Sequence, residues 1–289
     1  MDGFLNVLKP PGMSSGTAVA IVKRMTGEKV GHAGTLDPEA CGVLPVMVGR
    51  ATRLFDFLVE KQKTYLAEVA FGCATDTQDA QGKVIARGDN YPDLGDVVYV
   101  LPRFTGDILQ TPPMYSALKM GGETLYKMAI KGKTADIPAR PIHIDSIELR
   151  RSMPRNGMLL RIVCGRGTYI RTLCHDLGVA VGCPAHMRFL LREQTGVFTL
   201  ENAVTLEEIK AGCAAEALLP MDYPLGHLPR VDVPPRLQRL CLNGVRLRAD
   251  EWPGGQEQGA HVRLYADNQM IGISRVEEDG SLLPRTVLR

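Results

Sequence analysis

Gly31-His32-Ala33-Gly34-Thr35-Leu36-Asp37-Pro38-Glu39-Ala40-Cys41-Gly42 decides how the rest of the chain is read. Its glycines permit positive φ and close approach of the backbone to a ligand. Pro38 pushes Asp37 out of the helical region toward an extended conformation. The stretch therefore predicts a tight, non-helical loop that aims one carboxylate, Asp37, outward. Behind it, Val43-Leu44-Pro45-Val46-Met47-Val48 is an apolar run long enough for a buried strand. Reactive groups are often carried on loops held by such a scaffold. An Asp-Pro pair among glycines also suits an ordinary turn, so the rest of the chain must decide.

Upstream, residues 3–9 read as a strand ended by Pro10-Pro11-Gly12, and Ser14-Ser15 caps a helix over 17–25. Downstream, 52–58 reads as a short helix. Residues 63–71 alternate as a strand, with Tyr65 on the same face as Ala67 and Val69. A tyrosine among apolar neighbours usually packs in the core with its hydroxyl bonded. Residues 75–82 form a polar loop. Val97, Val98, Tyr99 and Val100 favour a strand by propensity. Pro112-Pro113 fix an extended entry to a strand at 115–118, and 123–130 reads as helical. Residues 140–151 have period-two character with a phase slip near Ser146, the mark of a bulge. The strand at 158–164 runs into Gly165-Arg166-Gly167-Thr168-Tyr169-Ile170-Arg171-Thr172. Thr168 at a cap position would start a helix whose N-terminus suits an anion, with Arg171 one turn in. Residues 183–192 read as a strand with His186 as a polar edge residue. A short helix near 206–212 and a Pro/Gly-rich linker over 220–229 follow. Short strands at 244–247, 261–265 and 270–276 complete a small β-rich unit.

Bulk composition fits a globular protein of one large domain or two unequal ones: 289 residues, 45% hydrophobic and 23% charged. No apolar run approaches the length of a membrane span, and the start lacks a signal-peptide pattern. The seven cysteines are scattered without a C-x-x-C, which argues against a zinc site and a disulfide framework. A reducing cytoplasm is the expected compartment. The net charge of +2 hides a division. Residues 119–192 hold 13 Lys/Arg against 5 Asp/Glu, and the remainder holds 21 against 27. Segregation of this kind points to a face that meets a polyanion.

The pattern Gly-His-x-Gly-x-Leu-Asp-Pro-x-Ala-x-Gly-x-Leu-Pro closely resembles the catalytic loop of the TruB family of tRNA pseudouridine synthases. Lys9-Pro10-Pro11-Gly12-Met13-Ser14-Ser15, Lys63-Thr64-Tyr65, Gly167-Thr168-Tyr169-Ile170-Arg171-Thr172 and 183–192 are similar to further family segments, in the same order. The resemblance implies an α/β (α+β) pseudouridine synthase fold: a mixed, mainly antiparallel sheet flanked by helices and loops, with a helix over 93–104. It also implies a catalytic domain over 1–224 and a small β-barrel-like PUA RNA-binding domain over 229–289. Three residues depart from the common pattern: Ala33 and Cys41 where hydroxyl residues are frequent, and Arg53 where Lys is frequent. None removes a group the chemistry needs.

The implied reaction breaks the uridine C1′–N1 bond, turns the base and joins C5 to C1′ in the tRNA T-loop at position 55. It needs one ionised carboxylate and no cofactor or metal, and the chain has no phosphate-binding glycine motif. Asp37 is the expected nucleophile or base, and Arg171 pairs with it and opposes the rise in pKa that burial causes. Tyr65 is implied to lie against the target base and is a candidate for removing the C5 proton. His32 would stack in the space left by the extruded base, Arg53 would face the RNA backbone, and Tyr169 and Leu190 would contact substrate. The expected partner is the tRNA T-arm, with no membrane, obligatory protein partner or guide RNA. A guide-RNA-dependent relative and a non-catalytic RNA-binding or RNA-folding protein are the alternatives.

Overall fold

The structure is a computed structural model that describes residues 1–58 and 62–289. In chain order its elements are β1 (Gly3–Lys9), α1 (Ser15–Thr26), β2 (Val30–His32) and β3 (Cys41–Val48), then a 3-10 turn at Gly49–Phe57. Next come β4 (Lys63–Phe71), β5 (Cys73–Thr75), β6 (Val84–Arg87), α2 (Leu94–Val100), β7 (Gly106–Gln110), β8 (Lys119–Met120), β9 (Glu123–Thr124) and α3 (Leu125–Ile130). The centre continues with β10 (Arg140–Met153), β11 (Gly157–Cys164), α4 (Ile170–Ala180), β12 (Ala185–Thr195), β13 (Phe198–Thr199), β14 (Val204–Thr205) and α5 (Leu206–Glu208). The C-terminal unit holds β15 (Arg230–Asp232), α6 (Pro235–Leu242), β16 (His261–Ala266), β17 (Gln269–Val276) and β18 (Leu282–Val287). No helix among the described residues is long and apolar enough to cross a membrane.

Among the described residues ten strands make one sheet, ordered β14-β1-β3-β12-β4-β11-β10-β7, with β2 on β3 and β13 on β12. The β1/β14 and β3/β12 pairs are parallel and the others antiparallel. This is the mixed, mainly antiparallel α/β sheet expected from the sequence. Its apolar face meets α1 and α4 in a core that includes Leu44, Val46, Val69, Leu160, Leu173 and Leu177. Ser14 caps α1 by accepting from the Thr17 amide at 3.0 Å. The phase slip in β10 is a register shift between Ile144 and Ser146. Residues 94–100 are helical despite their β-branched content, because Asp93 and Asp96 close a capping box at the start.

Four local expectations are corrected. Residues 115–118 are not a strand: the Ser116 and Leu118 carbonyls accept from Tyr126 and Leu125, and the Tyr115 carbonyl from Arg171. Thr168 does not cap α4; its hydroxyl turns back to the Gly165 carbonyl, and Tyr169 is the cap residue. His186 is not at an edge. It is buried in β12 opposite Ala70 of β4, and its Nδ1 donates to the Cys73 carbonyl at 2.9 Å. Residues 244–247 are not a strand, since the Gly244 amide closes the end of α6 and Leu247 alone bridges to Leu282.

The C-terminal unit has its own core around Leu237, Val262, Leu264 and Leu282. Its strands form the small C-terminal sheet that was expected, ordered β15-β16-β17-β18. Helix α6, absent from the sequence reading, begins on Pro234-Pro235, which fix φ for a first turn.

At the start of β3, Gly42 has φ +108°, and a Cβ there would sit 2.2 Å from the Arg192 carbonyl oxygen. The backbones of β3 and β12 therefore meet only because this side chain is absent. Gly42→Ala is expected to lose at least ~1–3 kcal/mol of stability, read as a lowered Tm; an unchanged Tm would refute the close approach.

Candidate active site

Residues 33–40 leave β2 and return into β3, and Asp37 sits at the outer end of this loop. Two upstream residues hold it. Ser15 exchanges two 2.9 Å hydrogen bonds with the Leu36 backbone, accepting from its amide and donating to its carbonyl. Lys9 follows Leu5 and Val7 on the inward face of β1 and is fully buried. Its ammonium donates to the carbonyls of Pro10, Met13 and Pro38 at 2.7, 2.6 and 2.9 Å. The Lys9–Ser15 segment thus braces the loop as well as capping a helix.

On the far side of the sheet's centre, α4 presents Arg171 in its first turn. Its Nε donates to Asp37 Oδ2 at 2.9 Å and its Nη2 to Asp37 Oδ1 at 3.3 Å. Such a two-pronged pair fixes geometry as well as charge. The guanidinium also donates to the carbonyls of Tyr115 at 2.9 Å and Thr77 at 3.2 Å, and lies 3.9 Å from Asp79 Oδ2. The Arg171 side chain is 6% exposed, whereas that of Asp37 keeps 37% of its surface. The arginine is therefore structural cargo of the core, and the carboxylate is its open end. Burial pushes the Asp37 carboxyl above its ordinary range and Asp79 adds to this, while Arg171 and Lys9 oppose it. Arg171 limits the rise without reversing it.

The pair lies in a cleft of about 550 Å³. Asp37, Tyr65, Tyr169, Arg171 and Leu190 all line it, although 153 positions separate the first from the last in sequence. An adjoining space of about 470 Å³ shares Asp37, Tyr115, Tyr126, Arg171 and Leu190, so the ion pair stands where the two meet. Tyr65 is buried, and burial pushes its phenol up, with Arg192 opposing. That direction works against a phenolate at neutral pH.

Two expected residues are elsewhere. His32 lies in β2 opposite Val46 and does not line the cleft; its Nδ1 is buried with no partner among the described residues. Arg53 is exposed on the 3-10 turn and donates to the Val287 carbonyl of β18 at 2.7 Å, tying the two parts of the chain together. Tyr115, Lys63 and Arg192 are among the cleft residues that the sequence did not mark as part of the site. Tyr115 and Lys63 line the walls. Arg192, buried in β12, donates to the carbonyls of Val43, Gly34 and Thr35 at 2.7, 3.1 and 3.4 Å. Its neighbours Arg188, Glu193 and Gln194 make β12 look polar at this point, so nothing in the sequence marks Arg192 as buried.

Comparison with known proteins agrees with this geometry. Residues 23–170 match the TruB family pseudouridylate synthase N-terminal domain, and 171–226 match the tRNA pseudouridylate synthase B C-terminal domain. A tRNA pseudouridine synthase B of Symbiobacterium thermophilum is 49% identical over 85% of this chain and 83% of its own. That of Heliobacterium modesticaldum is 40% identical over 99% and 95%. Among solved structures, a Cbf5-Nop10-Gar1 complex aligns with TM-score 0.76 and 26% identity over 99% of this chain and 85% of that one. An H/ACA RNP bound to a substrate RNA containing 2′-deoxyuridine aligns with TM-score 0.75 and 25% identity, over 99% and 85%. A loop that offers one carboxylate to a buried guanidinium, on a sheet of this order and with this degree of identity along its length, places the chain in the TruB family of pseudouridine synthases.

Proposed function

We propose that this chain converts uridine to pseudouridine in the T-loop of tRNA, at position 55, acting without a guide RNA or an obligatory protein partner. The observation that carries the reading is the two-pronged Asp37–Arg171 pair at the open end of a cleft walled by Tyr65, Tyr169 and Leu190. The names of the curated relatives support the substrate class. In this reading Asp37 supplies the negative oxygen that attacks the sugar or the base, or takes a proton from C2′. The C1′–N1 bond breaks with its electron pair on the base, C1′–C5 forms, and the C5 proton is lost as N1 gains one. No electrons enter or leave. Tyr65 packs against the base as a neutral phenol, and Leu190 closes the opposite wall.

Residues 1–224 form the catalytic part in this proposal, and 229–289 a PUA-like RNA-binding part. All seven cysteines are free, in keeping with a cytoplasmic site of action. The test is a purified-protein reaction with an unmodified tRNA transcript, followed by mapping of pseudouridine. Product at the T-loop uridine is expected. Product only after adding a guide RNA would favour the reading suggested by the H/ACA alignments instead.

Reaching a T-loop base requires extrusion, which costs a few kcal/mol, and phosphate contacts must offset it. Several arginines of the basic segment are already committed: Arg161 to Glu193, Arg188 to Glu68 and Arg171 to Asp37. Lys119, Lys127 and Lys133 are exposed on the β8–β9–α3 arm, whose Thr124 and Tyr126 line the cleft. If three such cations neutralise phosphates, the Kd for tRNA should rise about 40-fold between 50 and 200 mM salt. A flat salt response would remove this footprint.

A further inference from the structure

We propose that Arg192 is a positioning residue of this reaction: one buried guanidinium fixes the Asp37 loop against Tyr65, so that carboxylate and phenol face the same substrate. The proposal rests on the functional reading above and extends it to a residue outside the acid–guanidinium pair. Arg192 is 1% exposed. Across the sheet it stands opposite Gly42 on β3 and opposite Tyr65 on β4. It is therefore the point at which the strand leaving the catalytic loop and the strand carrying the phenol are joined. The register of β12 slips between Arg192 and Gln194, and a bulge is a recurrent device for re-aiming a side chain.

The guanidinium then spans the gap between those strands. Its Nη atoms reach the carbonyls of Gly34 and Thr35, three and two residues before Asp37. Its Nε reaches the carbonyl of Val43, just beyond the loop's other end. One planar group thus holds both ends of the loop. Three of its hydrogen bonds go to backbone carbonyl oxygens, and the same cation also hydrogen-bonds to the buried Tyr65 phenol, so it is held in the interior without a carboxylate partner. That arrangement requires every prong, because a buried charge left short of partners is costly. A lysine offers a point charge and cannot reproduce the fork. Arg171 pulls on the carboxylate from outside, and Arg192 fixes the chain from which the carboxylate hangs.

The experiment uses the full chain with unmodified tRNA transcript. It compares Arg192→Met, Arg192→Lys and Tyr65→Phe with the doubly substituted proteins. Arg192→Met should lower the single-turnover rate about 100-fold, the scale expected for a small misplacement of reacting groups, with Kd for tRNA changed less than threefold. In the Tyr65→Phe background the same substitution should cost much less, because coupled sites are not additive. Arg192→Lys should remain at least tenfold slow at an unchanged Tm, and it carries the same cycle if Arg192→Met folds poorly. A readout independent of turnover is the tyrosine 13Cζ resonance that vanishes in Tyr65→Phe. Its chemical shift at neutral pH should move when the Arg192 charge and hydrogen bond beside the phenol are lost. Arg192→Lys at the wild-type rate, equal losses in both backgrounds, or an unmoved Tyr65 resonance would overturn the proposal. A wild type that forms no pseudouridine would instead sink the functional reading.

Discussion

Arg171→Met is expected to slow single-turnover pseudouridine formation by about 10²–10³-fold, the range seen when one preorganised charge partner is removed. The loss has two physical sources. Asp37 would be released from both prongs of its partner. The Tyr115 and Thr77 carbonyls would lose the donor that draws their segments to α4. Arg171→Lys should recover little of the rate, since an ammonium cannot replace five interactions arranged around one plane. The pH profile separates charge from shape. The reaction needs Asp37 ionised, so the rate should rise with pH through the Asp37 pKa. Burial places that pKa above the ordinary 3.8, and Arg171 is the largest group holding it down. Without Arg171 the acid limb should move to higher pH still. An acid limb that stays in place, with a rate within threefold of wild type, would show that the pair has no part in the chemistry.

The loop and its backing strand were legible because Gly34, Pro38 and Gly42 constrain the backbone locally, and local constraints are written in adjacent residues. Strand β4, with Tyr65 on its inward face, was readable from alternation for the same reason. The residues that hold the loop were not. Lys9, Ser15 and Arg192 act across 29, 21 and up to 158 positions of sequence, on backbone carbonyls and amides that have no residue-specific signature. The strand expected at 115–118 failed similarly: its carbonyls are claimed by an arginine from α4 and by amides of the following arm. Arg53 is exposed and one of its Nη atoms donates to the Val287 carbonyl of β18, a contact with no signature in the residues around it. In the C-terminal unit helix α6 had no sequence expectation, although a proline pair such as Pro234-Pro235 can start a helix by fixing φ in its first turn.

The central claim is that the Asp37 carboxylate carries out the reaction in a site otherwise built to hold it still. Asp37→Asn keeps the size, the loop geometry and one acceptor oxygen for Arg171, but removes the negative charge. The fold should survive, because Asp37 is not part of the hydrophobic core, although leaving the buried Arg171 beside a neutral amide should lower the Tm. RNA affinity should survive too, since the exposed lysines of the arm are untouched. The decisive measurement is therefore the single-turnover rate of pseudouridine formation in an unmodified tRNA transcript, for wild type and Asp37→Asn, with Kd recorded for both. The expected result is a loss of at least about 10⁴-fold in rate with Kd within about threefold. A variant that still converts the T-loop uridine at a rate near wild type would contradict the account.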